Sequence, residues 1–119
     1  MIRFKRLLQS FKYAAKGFLK LLREEQNLRI QAMAAVLVVF LGMLLKVSIF
    51  DWVLLVVAII MVMLTEVMNS AMERVTDVLK PRINSYVKEI KDIMAAAVLL
   101  ASLGAVIIGV LVFAPYLAG

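Results

Sequence analysis

Five polar side chains stand in register within a largely apolar stretch: Glu66, Asn69, Ser70, Glu73 and Asp77, separated by steps of 3, 1, 3 and 4 residues. Those steps place all five on one face of an α-helix. A carboxylate, an amide, a hydroxyl and two further carboxylates therefore form a polar row about 16 Å long. Glu66 ends an uninterrupted apolar run, where an ionisable group costs about 2.5–3.5 kcal/mol at the centre of a membrane span and less near its edge. Two chemistries fit the row. One is an interhelical hydrogen-bond ladder that holds an oligomer together. The other is a divalent-metal and phosphate site: magnesium takes hard oxygen ligands, usually one or two protein carboxylates together with phosphates and water, and Glu73 with Glu25 can supply the carboxylates. Lys91, Arg6 and Arg82 fall toward the same surface and can neutralise phosphates. Phosphoryl transfer also needs a base at the acceptor hydroxyl, and Glu66, the deepest carboxylate, is where the buried hydroxyl of a lipid can arrive.

Composition narrows the field. The chain has 119 residues, room for one domain, and 65% of them are apolar, with a mean hydropathy of +1.00; soluble domains are about 45–50% apolar. This composition belongs to a membrane protein. There is no cysteine and no histidine, which removes disulfides, thiolate nucleophiles, Cys/His zinc sites, haem ligation and Ser-His-Asp catalysis. The five glycines, at 17, 42, 104, 109 and 119, are too scattered for a Walker loop or a GxGxxG turn. A net charge of +6 raises the question of nucleic acid, but so apolar a chain has no soluble face for a duplex-binding patch. Anionic lipid head groups or a polyphosphate suit the charge better.

The elements that must position the polar row can be read from apolar run lengths. Residues 1–23 alternate Phe4, Leu7, Leu8, Phe11, Ala15, Phe18, Leu19 and Leu22 at helical spacing with seven basic residues, the pattern of an amphipathic helix lying in the membrane interface. Three apolar stretches follow, predicting spans over 28–46, 52–79 and 85–113. The second carries the polar row out of the membrane and is stopped by Pro81; the third has a cytoplasmic segment before it and ends before Pro115. Of 14 Lys and Arg, eight lie between Arg3 and Arg29 and five between Arg74 and Lys91, leaving Lys46 alone between the first two spans. This places the N-terminus in the cytoplasm and the C-terminus outside. Glu24, Glu25 and the end of the polar row then meet at one membrane face. Ala97, Ala101, Ala105 and Gly109 repeat every four residues in the third span, a packing face that points to self-association.

The string Glu66-Val-Met-Asn69-Ser70-Ala71-Met-Glu73-Arg-Val-Thr-Asp77 resembles the signature E-x-x-N-S/T-A-x-E-x-x-x-D of the small prokaryotic diacylglycerol kinase and undecaprenol kinase family. Fourteen residues on, Lys91-Asp92 followed by Ala95-Ala96-Ala97-Val98 is similar to that family's K-D motif. Ser10-Phe11-Lys12-Tyr13-Ala14-Ala15-Lys16-Gly17 and Glu25-x-Asn27-x-Arg29 resemble its N-terminal elements, so the likeness covers essentially the whole chain.

The resemblance implies an all-α membrane protein: a homotrimeric bundle, each chain with a surface helix and three spans, in the cytoplasmic membrane of a prokaryote. It implies Mg-ATP as phosphoryl donor, a membrane lipid alcohol as acceptor, and sites shared between subunits. Glu66 matches the catalytic base, and Glu25 and Glu73 match the metal carboxylates. Arg6, Tyr13, Glu25, Glu73, Lys91 and Asp92 match nucleotide-contacting positions; Arg82 and Asn84 lie in the loop before the third span, which falls where the family touches the nucleotide although its sequence departs from the family's. Asn69, Ser70 and Asp77 match site-organising positions; Arg6, Glu66 and Ala95 match positions on the lipid side. The N-terminal elements, and Ala95 where diacylglycerol-preferring members tend to carry Ser, favour undecaprenol as acceptor, while Gln31 departs from the His often found there in the undecaprenol branch. Diacylglycerol is the alternative lipid. A non-enzymatic membrane scaffold is the alternative of another class, but it leaves the carboxylates of the second span without a role.

Overall fold

A computed structural model describes residues 3–80 and 84–119. The chain folds into four α-helices: α1 (Phe4–Glu24), α2 (Gln26–Leu45), α3 (Ile49–Leu79) and α4 (Asn84–Ala118), with no strand among the described residues. Helices α2, α3 and α4 are each long and apolar enough to cross a membrane. Within hydrocarbon every backbone polar group must be satisfied inside its own segment, which is why so apolar a chain resolves into helices. At 1.5 Å per residue α3 is about 46 Å long and α4 about 52 Å, against a hydrocarbon core of about 30 Å. Both helices are therefore longer than the hydrocarbon core is thick.

One residue, Glu25, joins α1 to α2 in extended backbone. The Arg29 guanidinium folds back and donates to the carbonyls of Leu22 and Arg23, satisfying acceptors that the end of α1 leaves open and setting a positive charge against the negative helix terminus. Phe4, Leu7, Leu8, Phe11 and Leu19 on α1 are exposed within the single chain.

The opposite end is tightly closed. Lys46 adopts a left-handed conformation, and the Val47 N–H donates to the Gly42 carbonyl, so α2 terminates in a compact reversal. Ser48 then caps α3 by accepting a hydrogen bond from the Asp51 N–H at 3.1 Å. Gly42 is required here: a Cβ at this position would lie 2.8 Å from Cη2 of Trp52. Val47, Leu55, Val112 and Phe113 form a buried cluster at this end, with Trp52 packed against it.

Helix α4 departs from the sequence expectation at its far end. It is continuous from Asn84, and instead of ending at 113 it runs through Pro115 to Ala118. The proline falls one turn from the helix end, where little helix remains to be disrupted. That end is also held from outside: the Tyr116 hydroxyl donates to Asp51 Oδ2 at 2.6 Å and accepts from the Ser48 N–H at 3.1 Å.

The small-residue row of α4 is partly engaged inside the chain. Helices α3 and α4 form the most extensive helix pair; Ala101 is buried and Ala97 and Ala105 are half-buried, whereas a Cβ at Gly109 would meet nothing within 4 Å. Part of the row thus serves packing within the subunit, beside the self-association expected of it. Small side chains let two helix backbones approach wherever they meet, and here they meet within one subunit. Large apolar side chains such as Leu100, Val110 and Leu111 remain exposed, as lipid-facing residues must.

Candidate active site

The polar row runs along α3 from the bundle interior outward. Glu66 is 3% exposed and Ser70 1%; Asn69 and Glu73 are half-buried; Asp77 is exposed. Helix α2 covers the inner end of the row. The Gln31 carboxamide lies beside the Glu66 carboxyl, and the charges of Glu25 and Glu73 are near enough to act on it. Two atoms of this cluster, Gln31 Oε1 and Ser70 Oγ, are buried with no hydrogen-bond partner among the described residues. Polar atoms left so in a folded interior cost free energy and mark where a ligand or water can bind.

An apolar groove of about 270 Å³ between α2, α3 and α4 meets the cluster at Gln31. It runs along Ala34, Val38, Ala58, Val62 and Ala105. A hydrocarbon chain can occupy such a groove with its polar end at Gln31 and Glu66.

Glu25 owes its position to the extended joint between α1 and α2, and it meets α3 across the site. Arg74 grips it there: Nη1 lies 3.2 Å from Glu25 Oε1 and Nη2 lies 2.7 Å from Glu24 Oε2. Of the adjacent glutamates, Glu25 is the less exposed, at 24% against 47% for the Glu24 side chain, and it is the one whose charge reaches Glu66. Glu73 faces the same row, and its carbonyl accepts from the Thr76 hydroxyl at 2.9 Å.

The donor set decides what kind of cation the site can take. Among the described residues no three carboxylates converge on one point. Glu25 and Glu73 offer hard oxygens only, which suits a divalent cation that completes its shell with phosphates and water, as magnesium does.

Toward the end of α3, Lys91 of α4 reaches Asp77, Nζ to Oδ1 at 3.5 Å. Asn84, Lys91 and Asp92 share a groove of about 360 Å³ with Lys80 and Ser85, so three of the residues expected to contact nucleotide are gathered in one place. Arg6 and Tyr13 are not: both stand exposed on α1 and join no ion pair or side-chain hydrogen bond among the described residues. Ala95 is exposed on α4, one turn beyond Lys91. Arg82 lies outside the described residues.

Sequence reasoning missed two participants. Arg74 sits beside Glu73 with no periodicity that ties it to Glu24, fifty residues away. Gln31 meets Glu66 across the α2–α3 interface, a contact that no local spacing encodes.

A surface-length first helix, three spans and a row of carboxylates leading from the bundle interior to one membrane face define an integral-membrane protein with a polar site at its edge. The family model for prokaryotic diacylglycerol kinase matches residues 12–113. The chain is 32% identical over 112 residues to the undecaprenol kinase of Bacillus subtilis (strain 168), covering 94% of this chain and 91% of that protein. It is 33% identical over 104 residues to the diacylglycerol kinase of Escherichia coli (strain K12), covering 87% and 85% respectively. It is 35% identical over 104 residues to the diacylglycerol kinase of Synechocystis, covering 87% of this chain and 59% of that protein. The chain belongs to the prokaryotic diacylglycerol kinase family and is a membrane lipid kinase.

Proposed function

We propose that this protein transfers the γ-phosphoryl group of ATP to the primary hydroxyl of undecaprenol, giving undecaprenyl phosphate, at the cytoplasmic face of a prokaryotic cell membrane. The observation that carries the reading is the buried Glu66 beside Gln31, the residue at which an apolar groove meets the polar row. Part of the methyl-branched isoprenoid chain can lie in that groove and bring the hydroxyl toward the carboxylate. Glu66 takes the hydroxyl proton as the acceptor oxygen forms its bond to the γ-phosphorus, and the bond to the β–γ bridging oxygen breaks to release ADP. Glu25 and Glu73 would hold the magnesium ion, which when bound offsets charge on the phosphates. Lys91, Asp92 and Asn84 fit the nucleotide side of the reaction, with Asn69, Ser70 and Asp77 keeping the row in place.

The preference for undecaprenol rests on the N-terminal elements and Ala95. Diacylglycerol carries two ester carbonyls to the interface, and a site with Ala at 95 has one hydroxyl donor fewer to satisfy them. The likeness to proteins named diacylglycerol kinase keeps that lipid as the second reading. In the assembled state the protein is a homotrimer with sites completed by neighbouring subunits, its N-terminus in the cytoplasm and its C-terminus outside, and α1 rests on anionic head groups. Purified protein in mixed micelles with labelled ATP and a panel of undecaprenol, diacylglycerol and ceramide tests the assignment. Undecaprenol should give the highest kcat/KM; preference for diacylglycerol would transfer the assignment to the second reading, and no transfer to any of the three would overturn both.

A further inference from the structure

We propose that Arg74 is a counter-ion switch on Glu25: without nucleotide its guanidinium takes the place of a divalent cation, and when the cation binds it stays anchored on Glu24 and turns to a nucleotide phosphate. The inference rests on Glu25 being a metal carboxylate, as proposed above. It begins from the geometry of the fork. Arg74 bridges two carboxylates of different standing, Glu24 at the end of helix α1 and Glu25 in the extended joint. Its contact with Glu24 is the shorter, 2.7 Å against 3.2 Å. Nη1 also donates to the Ser70 carbonyl at 3.0 Å, which fixes the guanidinium against α3 one turn beyond Glu66. Glu25 is thus the more weakly held partner, and releasing it leaves Arg74 with two of its three acceptors.

Charge points the same way. Among the described residues Arg74 is the ion-pair partner of Glu25, so a divalent cation that binds this carboxylate competes with the guanidinium for it. Guanidinium stays protonated throughout the physiological range, so the exchange is a displacement and not a titration. Its planar fork accepts a carboxylate or a phosphate with the same geometry.

A cationic edge that a phosphate can meet is available beside it. Between α1 and α3 lies a groove of about 610 Å³, apolar along Phe18, Leu21, Val67 and Ala71, with Arg74 and Lys20 as its two cations. The Arg74 side chain is 44% exposed, so it is reachable by a ligand in that groove. One residue would in this way keep the metal carboxylate neutralised while the site is empty, and couple cation binding to phosphate binding.

The test is Mn²⁺ binding to the full-length protein in detergent, read from the electron paramagnetic resonance signal of the free ion without nucleotide, alongside equilibrium binding of a non-hydrolysable ATP analogue. An exposed ion pair opposes a competitor by no more than about fivefold. Arg74→Gln should therefore tighten Mn²⁺ by up to about fivefold and weaken the analogue by about tenfold. Arg74→Lys, which keeps charge without the fork, should fall between. Glu24→Gln leaves Arg74 to Glu25 and the Ser70 carbonyl and should weaken Mn²⁺, giving an independent reading should Arg74→Gln fail to fold. Added to Glu25→Gln, the Arg74→Gln change should gain nothing. Unchanged or weaker Mn²⁺ binding in Arg74→Gln, stronger binding in Glu24→Gln, unchanged analogue affinity, or no Mn²⁺ binding to any of these proteins would overturn the switch. Absence of lipid phosphorylation by the wild type would overturn the function instead, and is read separately.

Discussion

At the scale of single residues, the proposed chemistry centres on Glu66, the one buried carboxylate among the described residues. Glu66→Gln keeps the shape and an acceptor oxygen but cannot take a proton. Phosphoryl transfer should fall by about 10²–10⁴-fold, with nucleotide affinity and assembly retained; activity within threefold of wild type would remove the base assignment. Glu25→Gln and Glu73→Gln should behave differently, weakening Mg-ATP and recovering in part with excess magnesium, since each removes a hard oxygen charge and not the proton acceptor. Equal Mg-ATP affinity in both variants and wild type would make the carboxylates structural. Much of this row was legible in the sequence, because Glu66, Asn69, Ser70, Glu73 and Asp77 share one helix and helical geometry converts their spacing into a common face. The neighbours across the helix interface were not. Gln31 meets Glu66 and Arg74 meets Glu24 only through packing, and no local pattern encodes a contact between residues that far apart.

At the scale of helices, the spans could be read from apolar run lengths, but the partners of each helix face could not. Ala101 illustrates the difference: its small-residue repeat announces close packing, yet the repeat is equally suited to a neighbouring subunit and to α3 of the same chain. Since Ala101 is buried within the chain, Ala101→Leu should overpack this helix contact, at a cost of about 1–3 kcal/mol. The measurement is thermal unfolding in detergent beside a cross-linking ladder: the midpoint should fall while the oligomer number of the folded fraction stays the same. Loss of assembly without loss of subunit stability would return the row to an intersubunit role. The continuation of α4 past Pro115 has a comparable origin. Proline predicts a stop, but the hydroxyl of Tyr116 reaches Asp51 and Ser48 on the helix hairpin and holds the last turn. Tyr116→Phe should lower stability by about 1 kcal/mol, with kinase activity unaffected at permissive temperature. An unchanged unfolding midpoint would show that these hydrogen bonds are replaced by water.

At the scale of the whole molecule, one chain does not gather every residue that the family likeness assigns to the nucleotide. Glu25, Glu66 and Glu73 act on one another within the subunit, and Asn84, Lys91 and Asp92 share a groove, whereas Arg6 and Tyr13 stand apart on an exposed face of α1. If the working site is completed by a neighbouring subunit, two inactive proteins can repair each other. Mixing subunits carrying Tyr13→Ala with subunits carrying Glu66→Gln, then reassembling them, should restore a fraction of wild-type activity that neither shows alone. No recovery over a range of mixing ratios would confine each site to one chain.

The contact between Gly42 and Trp52 gives the molecule an internal spectroscopic label. Trp52 is the only tryptophan, and its indole is wedged against the one glycine whose Cβ would collide with it. It lies fourteen residues before Glu66 on the same helix, about 21 Å along the axis. Its fluorescence emission therefore reports whether the closed end of the bundle is intact, and is insulated by distance from nucleotide at the far end. A detergent or lipid that loosens the hairpin will shift the emission to longer wavelength before any change at Glu66 is felt, separating loss of fold from loss of chemistry in a single cuvette.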